Sequence, residues 1–167
     1  RSFSIYSEDE STKLLKECLQ TLGLPDSKSD LSKVSYGVSR AKNGLLSPEQ
    51  VEKESKELAA VYQLYQEKLR IYGAVDFDDL LFLPVQLWQQ YSDVLRYYQT
   101  RWTHFLVDEY QDTNHAQYVM TSLLVGEKGF LFVVGDPDQL IYSWRGANIR
   151  NILRFSEDYP GARLIAL

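Results

Sequence analysis

The sequence predicts an α/β protein in two parts, a helical segment over residues 1–100 joined to a parallel αβ sheet over 101–167. Three observations predict it. Apolar residues recur at helical spacing through the first hundred positions. From His104 onward, short apolar runs alternate with helical stretches, which is the pattern of a parallel sheet. Carboxylates stand in the turns that follow two of those runs, where ligands gather in such sheets. Composition agrees with a globular chain: 167 residues, 44% hydrophobic and 25% charged, with a formal net charge of -5. A single cysteine excludes an internal disulfide, and with two histidines it leaves almost nothing for structural zinc. No run approaches 18 apolar residues and the first twenty lack a signal-peptide core, so no membrane partner is expected. The only methionine is Met120 and the first residue is Arg1, which suggests an internal piece of something longer.

The first helix is expected over Glu8–Leu22, with Leu14, Leu15, Cys18, Leu19 and Leu22 on one face and Ser7 as cap. Glu8, Asp9 and Glu10 suit its positive end, Gly23 its left-handed exit, and Leu24 can fold back on the last turn. A second helix over Leu31–Lys42 buries Leu31, Val34, Val38 and Ala41 and stops at Gly44. The third runs from Pro48 to Tyr72 and ends at Gly73, started by Ser47, Pro48 and Gln50 as a capping box. Its tyrosine-rich stripe fits packing in a small helical domain better than a coiled coil. Asp76 caps a fourth helix, with Asp78 and Asp79 in its first turn. Three close carboxylates also suit a divalent metal, but capping accounts for them more simply. Pro84 predicts a kink or break inside Leu80–Trp88, and a short amphipathic segment covers Asp93–Tyr98.

In the second part, His104–Val107 reads as a buried strand ending in Asp108-Glu109. Asn114 caps a helix that runs to Leu124 and closes at Gly126. Phe130–Val134 is a second buried strand, a helix follows over Ala147–Glu157, and Arg163–Leu167 begins a third strand.

Residues 108–114 read DEYQDTN. An apolar strand followed by Asp-Glu is the arrangement of a Walker B site: the aspartate reaches Mg²⁺ directly or through water, and the glutamate orients or deprotonates the attacking water. Taken alone, an acidic turn explains it equally well. Residues 135–147 read GDPDQLIYSWRGA. Gln139 can meet a γ-phosphate or its attacking water, Tyr142 and Trp144 can offer π-faces to bases, and Arg145 can meet a phosphate or hold the loop. The structural alternative makes Trp144 a core side chain with Arg145 as its surface neighbour.

DEYQDTN together with GDPDQLIYSWRGA resembles motifs II and III of the UvrD/Rep/PcrA family, superfamily 1A DNA helicases that translocate 3′ to 5′. The similarity extends to AVDFDDLL at 74–81, to the stretches FSIYSEDES, VSRAKNGLLSPEQ and YQLYQEKLRIYGAVDFDDL, which match an inserted helical subdomain, and to the closing NILRFSEDYPGARLIAL. The resemblance implies a P-loop NTPase (RecA-like) motor-domain fragment at 101–167, joined to an all-helical inserted subdomain at 1–100. It implies ATP and Mg²⁺ as cofactors and single-stranded and duplex DNA as partners. By the same resemblance Asp108 is the Mg²⁺-associated carboxylate, Glu109 the catalytic base, and Gln139 the contact to the γ-phosphate region. Trp144 stacks on a base, Tyr142 is a second aromatic of that motif, and Arg145 links the DNA site to the nucleotide site. Pro137, Leu140 and Asn148 depart from the residues usual in the family, and none carries one of these roles.

A phosphate cradle needs GxxxxGK[ST], yet the chain contains no Gly-Lys pair. The remainder of the helicase is therefore an implied partner, and the piece alone is expected to be inactive. Arg1–Leu95 carries 11 basic and 15 acidic residues and the rest 7 and 8, so weak DNA binding is expected of it. Alternatives are a non-enzymatic DNA-binding or partner-binding module, and a piece of an AddA/RecB-type helicase-nuclease. A metal-dependent hydrolase using Asp76, Asp78, Asp79 and Asp108 is a third. The family implies a cytoplasmic location.

Overall fold

The computed structural model describes residues 2–139 and 150–165, which fall into two compact units, Arg1–Gln86 and Leu87–Leu167. In the first unit, α1 (Glu8–Thr21) starts where Ser7 and Glu10 cap each other reciprocally. It buries Leu14, Leu15, Cys18 and Leu19. Leu22, expected on the same face, is exposed, because the chain leaves the helix there and Leu24 takes its place against the core, its N–H reaching the Leu19 carbonyl at 2.9 Å. The second helix, α2 (Lys28–Asn43), begins three residues earlier than expected because Ser27 caps the N–H of Asp30.

The single long helix expected over Pro48–Tyr72 is two: α3 (Pro48–Val51) and α4 (Lys56–Tyr72). Ser55 is the cause. Its extended backbone lets the hydroxyl accept the Leu58 N–H at 3.2 Å, so a new helix starts there. Val51, Val61, Tyr62, Tyr65 and Leu69 then join the α1 and α2 residues in one core. Gly73 ends α4 with φ +61°, a conformation a side chain would resist.

The first part is not wholly helical. The turn at Gly73 delivers β2 (Ala74–Val75) alongside β1 (Ser4–Ile5), and the two pair in parallel. Two-residue strands carry no alternation to be read from sequence. Next, α5 (Asp79–Gln90) continues through Pro84 without a break. A proline removes one ladder hydrogen bond, and the packing of Phe82, Val85 and Trp88, all buried, holds the turns around it.

In the second unit, α6 (Ser92–Arg101) leads into β3 (His104–Val107). After the connection comes α7 (His115–Val125), capped reciprocally by Asn114 and Gln117, and then β4 (Phe130–Val133). The strands pair in parallel with His104 opposite Phe130 and Val107 opposite Val133. Both were expected to be buried and neither is: Leu106 is 75% exposed, and Phe130 and Phe132 are exposed on the same face. Among the described residues only two strands form this sheet, and nothing covers that face. Two short helices, α8 (Arg150–Leu153) and α9 (Phe155–Asp158), stand in place of the one expected over Ala147–Glu157, whose first residues lie outside the described ones. Residues 163–165 form no strand.

Candidate functional site

Two carboxylate clusters were candidates, and their surroundings separate them. In the first unit Asp76 and Asp79 cap each other: the Asp79 N–H reaches Asp76 Oδ1 at 2.8 Å and the Asp76 N–H reaches Asp79 Oδ2 at 3.2 Å. Lys42, fully buried, places Nζ 2.6 Å from Asp76 Oδ2 and 2.9 Å from Asp79 Oδ1. The Tyr65 hydroxyl donates to Asp76 Oδ2, Gln66 Nε2 to Asp79 Oδ1 and Asn43 Nδ2 to Asp78 Oδ1. Burial pushes the Asp79 carboxyl above the usual carboxylate range, with Lys42 pulling the other way. These oxygens are already engaged by cation and amides, so the cluster is a staple tying α2 and α4 to the start of α5.

The second cluster lies where β3 and β4 end together. Asp108 and Glu109 follow β3, and both are exposed. Glu109 is left-handed (φ 50°, ψ 43°), a conformation that costs a non-glycine residue of order 1 kcal/mol. The local hydrogen bonds impose it. The Glu109 N–H turns back to Asp108 Oδ1 at 2.9 Å, the Tyr110 N–H extends the ladder to the Val134 carbonyl, and the Asp112 N–H closes a 3-10 turn on the Glu109 carbonyl. Glu109 stays exposed at the strand end while its carboxylate accepts from Gln111.

Gln111 was not singled out from sequence, and it joins the two strand ends. It is 1% exposed; its Nε2 donates to Glu109 Oε2 at 2.7 Å, and its Oε1 accepts the Asp136 N–H at 3.1 Å. Asp136 shapes the loop after β4 by accepting the Asp138 N–H on Oδ1 and Gln139 Nε2 on Oδ2, the latter at 2.8 Å. Gln139 is exposed, with its amide turned onto Asp136. Gly135 makes the approach possible, since a Cβ there would stand 2.7 Å from Gln111 Oε1 and 3.2 Å from the Tyr110 nitrogen. Asn151 fastens α8 beneath the same turn through the Thr113 carbonyl and hydroxyl, both at 3.1 Å. Tyr142, Trp144 and Arg145 lie outside the described residues.

No group of three or more metal-ligating side chains occurs among the described residues. Two adjacent exposed carboxylates nevertheless fit Mg²⁺, which keeps most of its shell for water and substrate phosphates and takes only one or two carboxylates.

Residues 1–160 match the UvrD/REP helicase N-terminal domain. The chain belongs to that family. Relatives include the ATP-dependent DNA helicase UvrD1 of Mycobacterium tuberculosis (strain ATCC 25618 / H37Rv), 44% identical over 99% of this chain. The ATP-dependent DNA helicases PcrA of Staphylococcus epidermidis (strain ATCC 12228 / FDA PCI 1200) and of Leuconostoc citreum are 40% and 41% identical over 100% of it. The chain spans about a quarter of each relative's length: 24% of UvrD1 and of the staphylococcal PcrA, 23% of the other. No helix among the described residues is long and apolar enough to cross a membrane.

Proposed function

We propose that this chain is the motif II and III segment of an ATP-dependent DNA helicase, with Asp108, Glu109 and Gln139 at its nucleotide site. The observation that carries this reading is the meeting of the two strand ends: an Asp-Glu pair and a Gly-Asp-Pro-Asp-Gln loop joined through Gln111 at the C-terminal edge of a parallel sheet. Membership of the family, and relatives named as ATP-dependent DNA helicases, supply the substrate class.

In this reading Asp108 would offer an oxygen to the metal, and Glu109, exposed at the strand end, accepts the proton of the attacking water. Gln139 exchanges its Asp136 contact for the γ-phosphate region. Bound Mg²⁺ would supply charge neutralisation at the phosphates. Trp144 and Tyr142 stack on single-stranded DNA, and Arg145 ties that contact to the nucleotide. Residues 1–100 serve as the helical inserted subdomain and 101–167 as part of a RecA-like motor domain. The exposed apolar face of β3 and β4, with Leu106 beside Phe132, is accounted for if further strands and helices of such a domain cover it. The motor would move 3′ to 5′ in the cytoplasm. With no Gly-Lys pair to cradle phosphates, the chain by itself would not turn over ATP.

Glu109→Gln in the full-length protein tests the reading. DNA-stimulated ATP hydrolysis should fall by about 10²- to 10⁴-fold, the range of a lost general base, with ATP binding retained. Unwinding of a 3′-tailed duplex should fall with it. Turnover within a few-fold of the parent would remove Glu109 from the mechanism, and unwinding only from a 5′ tail would reverse the direction.

A further inference from the structure

We infer that Gln111 is a positioning residue that couples the water-activating carboxylate to the loop carrying Gln139; the inference rests on the role proposed above for Glu109. The geometry is a continuous string of side chains. Glu109 Oε2 accepts from Gln111 Nε2 at 2.7 Å, Gln111 Oε1 accepts from the Asp136 N–H at 3.1 Å, and Asp136 Oδ2 accepts from Gln139 Nε2 at 2.8 Å. Each end of the string is exposed and the joint is buried.

A carboxamide donates at one corner and accepts at the other without carrying charge. Both corners are used here, and burial leaves the amide no competing water. Turning it over would set its oxygen against the Glu109 carboxylate and its nitrogen against a backbone N–H, so a single orientation is stable. A movement of the Asp136 loop is therefore felt at Glu109, and the reverse. When Gln139 leaves Asp136 for a phosphate, the freed Asp136 turn can shift, and Gln111 carries that shift to the carboxylate that must face the water. Asp108 does not lie on this path. Gly135 keeps the joint closed, since any side chain at that position collides with Gln111 Oε1.

The test uses the full-length protein with Gln111→Met, which keeps length and buried volume while removing both hydrogen bonds, and Gln111→Glu assayed at alkaline pH, where the ionised carboxylate keeps the acceptor toward Asp136 and has no proton to donate to Glu109. Glu109→Gln is run beside them. Loss of a residue that orients a catalytic group typically costs about 10- to 100-fold in activity. Gln111→Met should lower kcat by about that factor, leave KM for ATP within about three-fold, and reduce the ratio of DNA-stimulated to basal hydrolysis. Gln111→Glu should match it in kcat while keeping slow hydrogen exchange at the Asp136 amide, which Gln111→Met should lose. If Gln111→Met folds poorly, the exchange and kcat of Gln111→Glu decide alone. Parent-like kcat and stimulation in the Gln111 variants, with Glu109→Gln inactive, would overturn this inference and leave the function standing. Parent-like turnover in Glu109→Gln would overturn both.

Discussion

The two carboxylate clusters are alike in sequence and opposite in physics. DFDD at 76–79 and DE at 108–109 are both acidic runs beside apolar segments, and either invites a metal. In the first, Lys42 is buried against two carboxylates that also cap each other, and three further side chains complete the network. In the second, the carboxylates are exposed, Glu109 is held in a strained backbone, and the described residues engaging their side-chain oxygens are the Glu109 N–H and Gln111. Charge that is neutralised and dry holds structure; charge that is exposed on a strained backbone is available for chemistry. A buried cation within 3 Å, rather than the count of acids, separates the two.

The largest effect expected from breaking this contrast comes from Lys42. Replacing it with Met leaves Asp76 and Asp79 buried without a counter-charge, and removal of one partner from a buried pair costs about 3–5 kcal/mol. Denaturant unfolding of Lys42→Met should show a loss of that order. Adding Asp76→Asn and Asp79→Asn should restore much of it, because no stranded charge then remains. A loss below about 1 kcal/mol for the single variant would mean that the network is not the staple described here. Glu109→Gln, a change of similar chemistry at the other cluster, should scarcely move the unfolding midpoint.

How much of this was legible in sequence follows from the range of each interaction. Caps are local, so Ser7 and Asn114 are legible as caps, although their reciprocal partners Glu10 and Gln117 are not read as such. The reciprocal cap of Asp76 with Asp79 was half-read, as Asp76 capping alone. Ser55 was missed because an intact apolar stripe over Val51–Tyr72 outweighed one serine. Lys42 carries no sequence signal of its role, since the partner that buries it lies 34 residues away. Gln111 sat in plain view inside DEYQDTN, but its second partner is 25 residues on, at a backbone N–H that no residue type advertises. The strand-end carboxylates were found because an Asp-Glu pair closing an apolar run is itself a local signal. Which of their neighbours hold them depends on the pairing of β3 with β4.

A smaller effect sharpens the second cluster. Gly135→Ala adds a methyl that would meet Gln111 Oε1 at 2.7 Å, Ile152 Cδ1 at 2.9 Å and the Tyr110 nitrogen at 3.2 Å. The first two can move and the backbone cannot, so the strain falls on the Gln111 joint. Overpacking of this kind costs about 1–3 kcal/mol. The telling outcome is a faster exchange of the Asp136 amide relative to amides of the first unit. A uniform change across the chain would say instead that the substitution loosens packing without touching the joint.

The smallest effect uses the lone cysteine as a reporter of the first unit. Cys18 is fully buried, and burial pushes its thiol from 9.0 up to about 11. A folded value above the unfolded one means that the thiol favours the folded state fully below about pH 9, and that this contribution is lost as pH rises toward 11. At pH 8 a maleimide should therefore label the native chain at least about 100-fold more slowly than the chain in urea, because reaction waits on opening of the core. No other thiol exists in the sequence to blur the reading. In Lys42→Met the same reagent should react faster, whereas Glu109→Gln should leave the rate unchanged. Equal acceleration by both would erase the distinction between a dry structural cluster and an exposed chemical one.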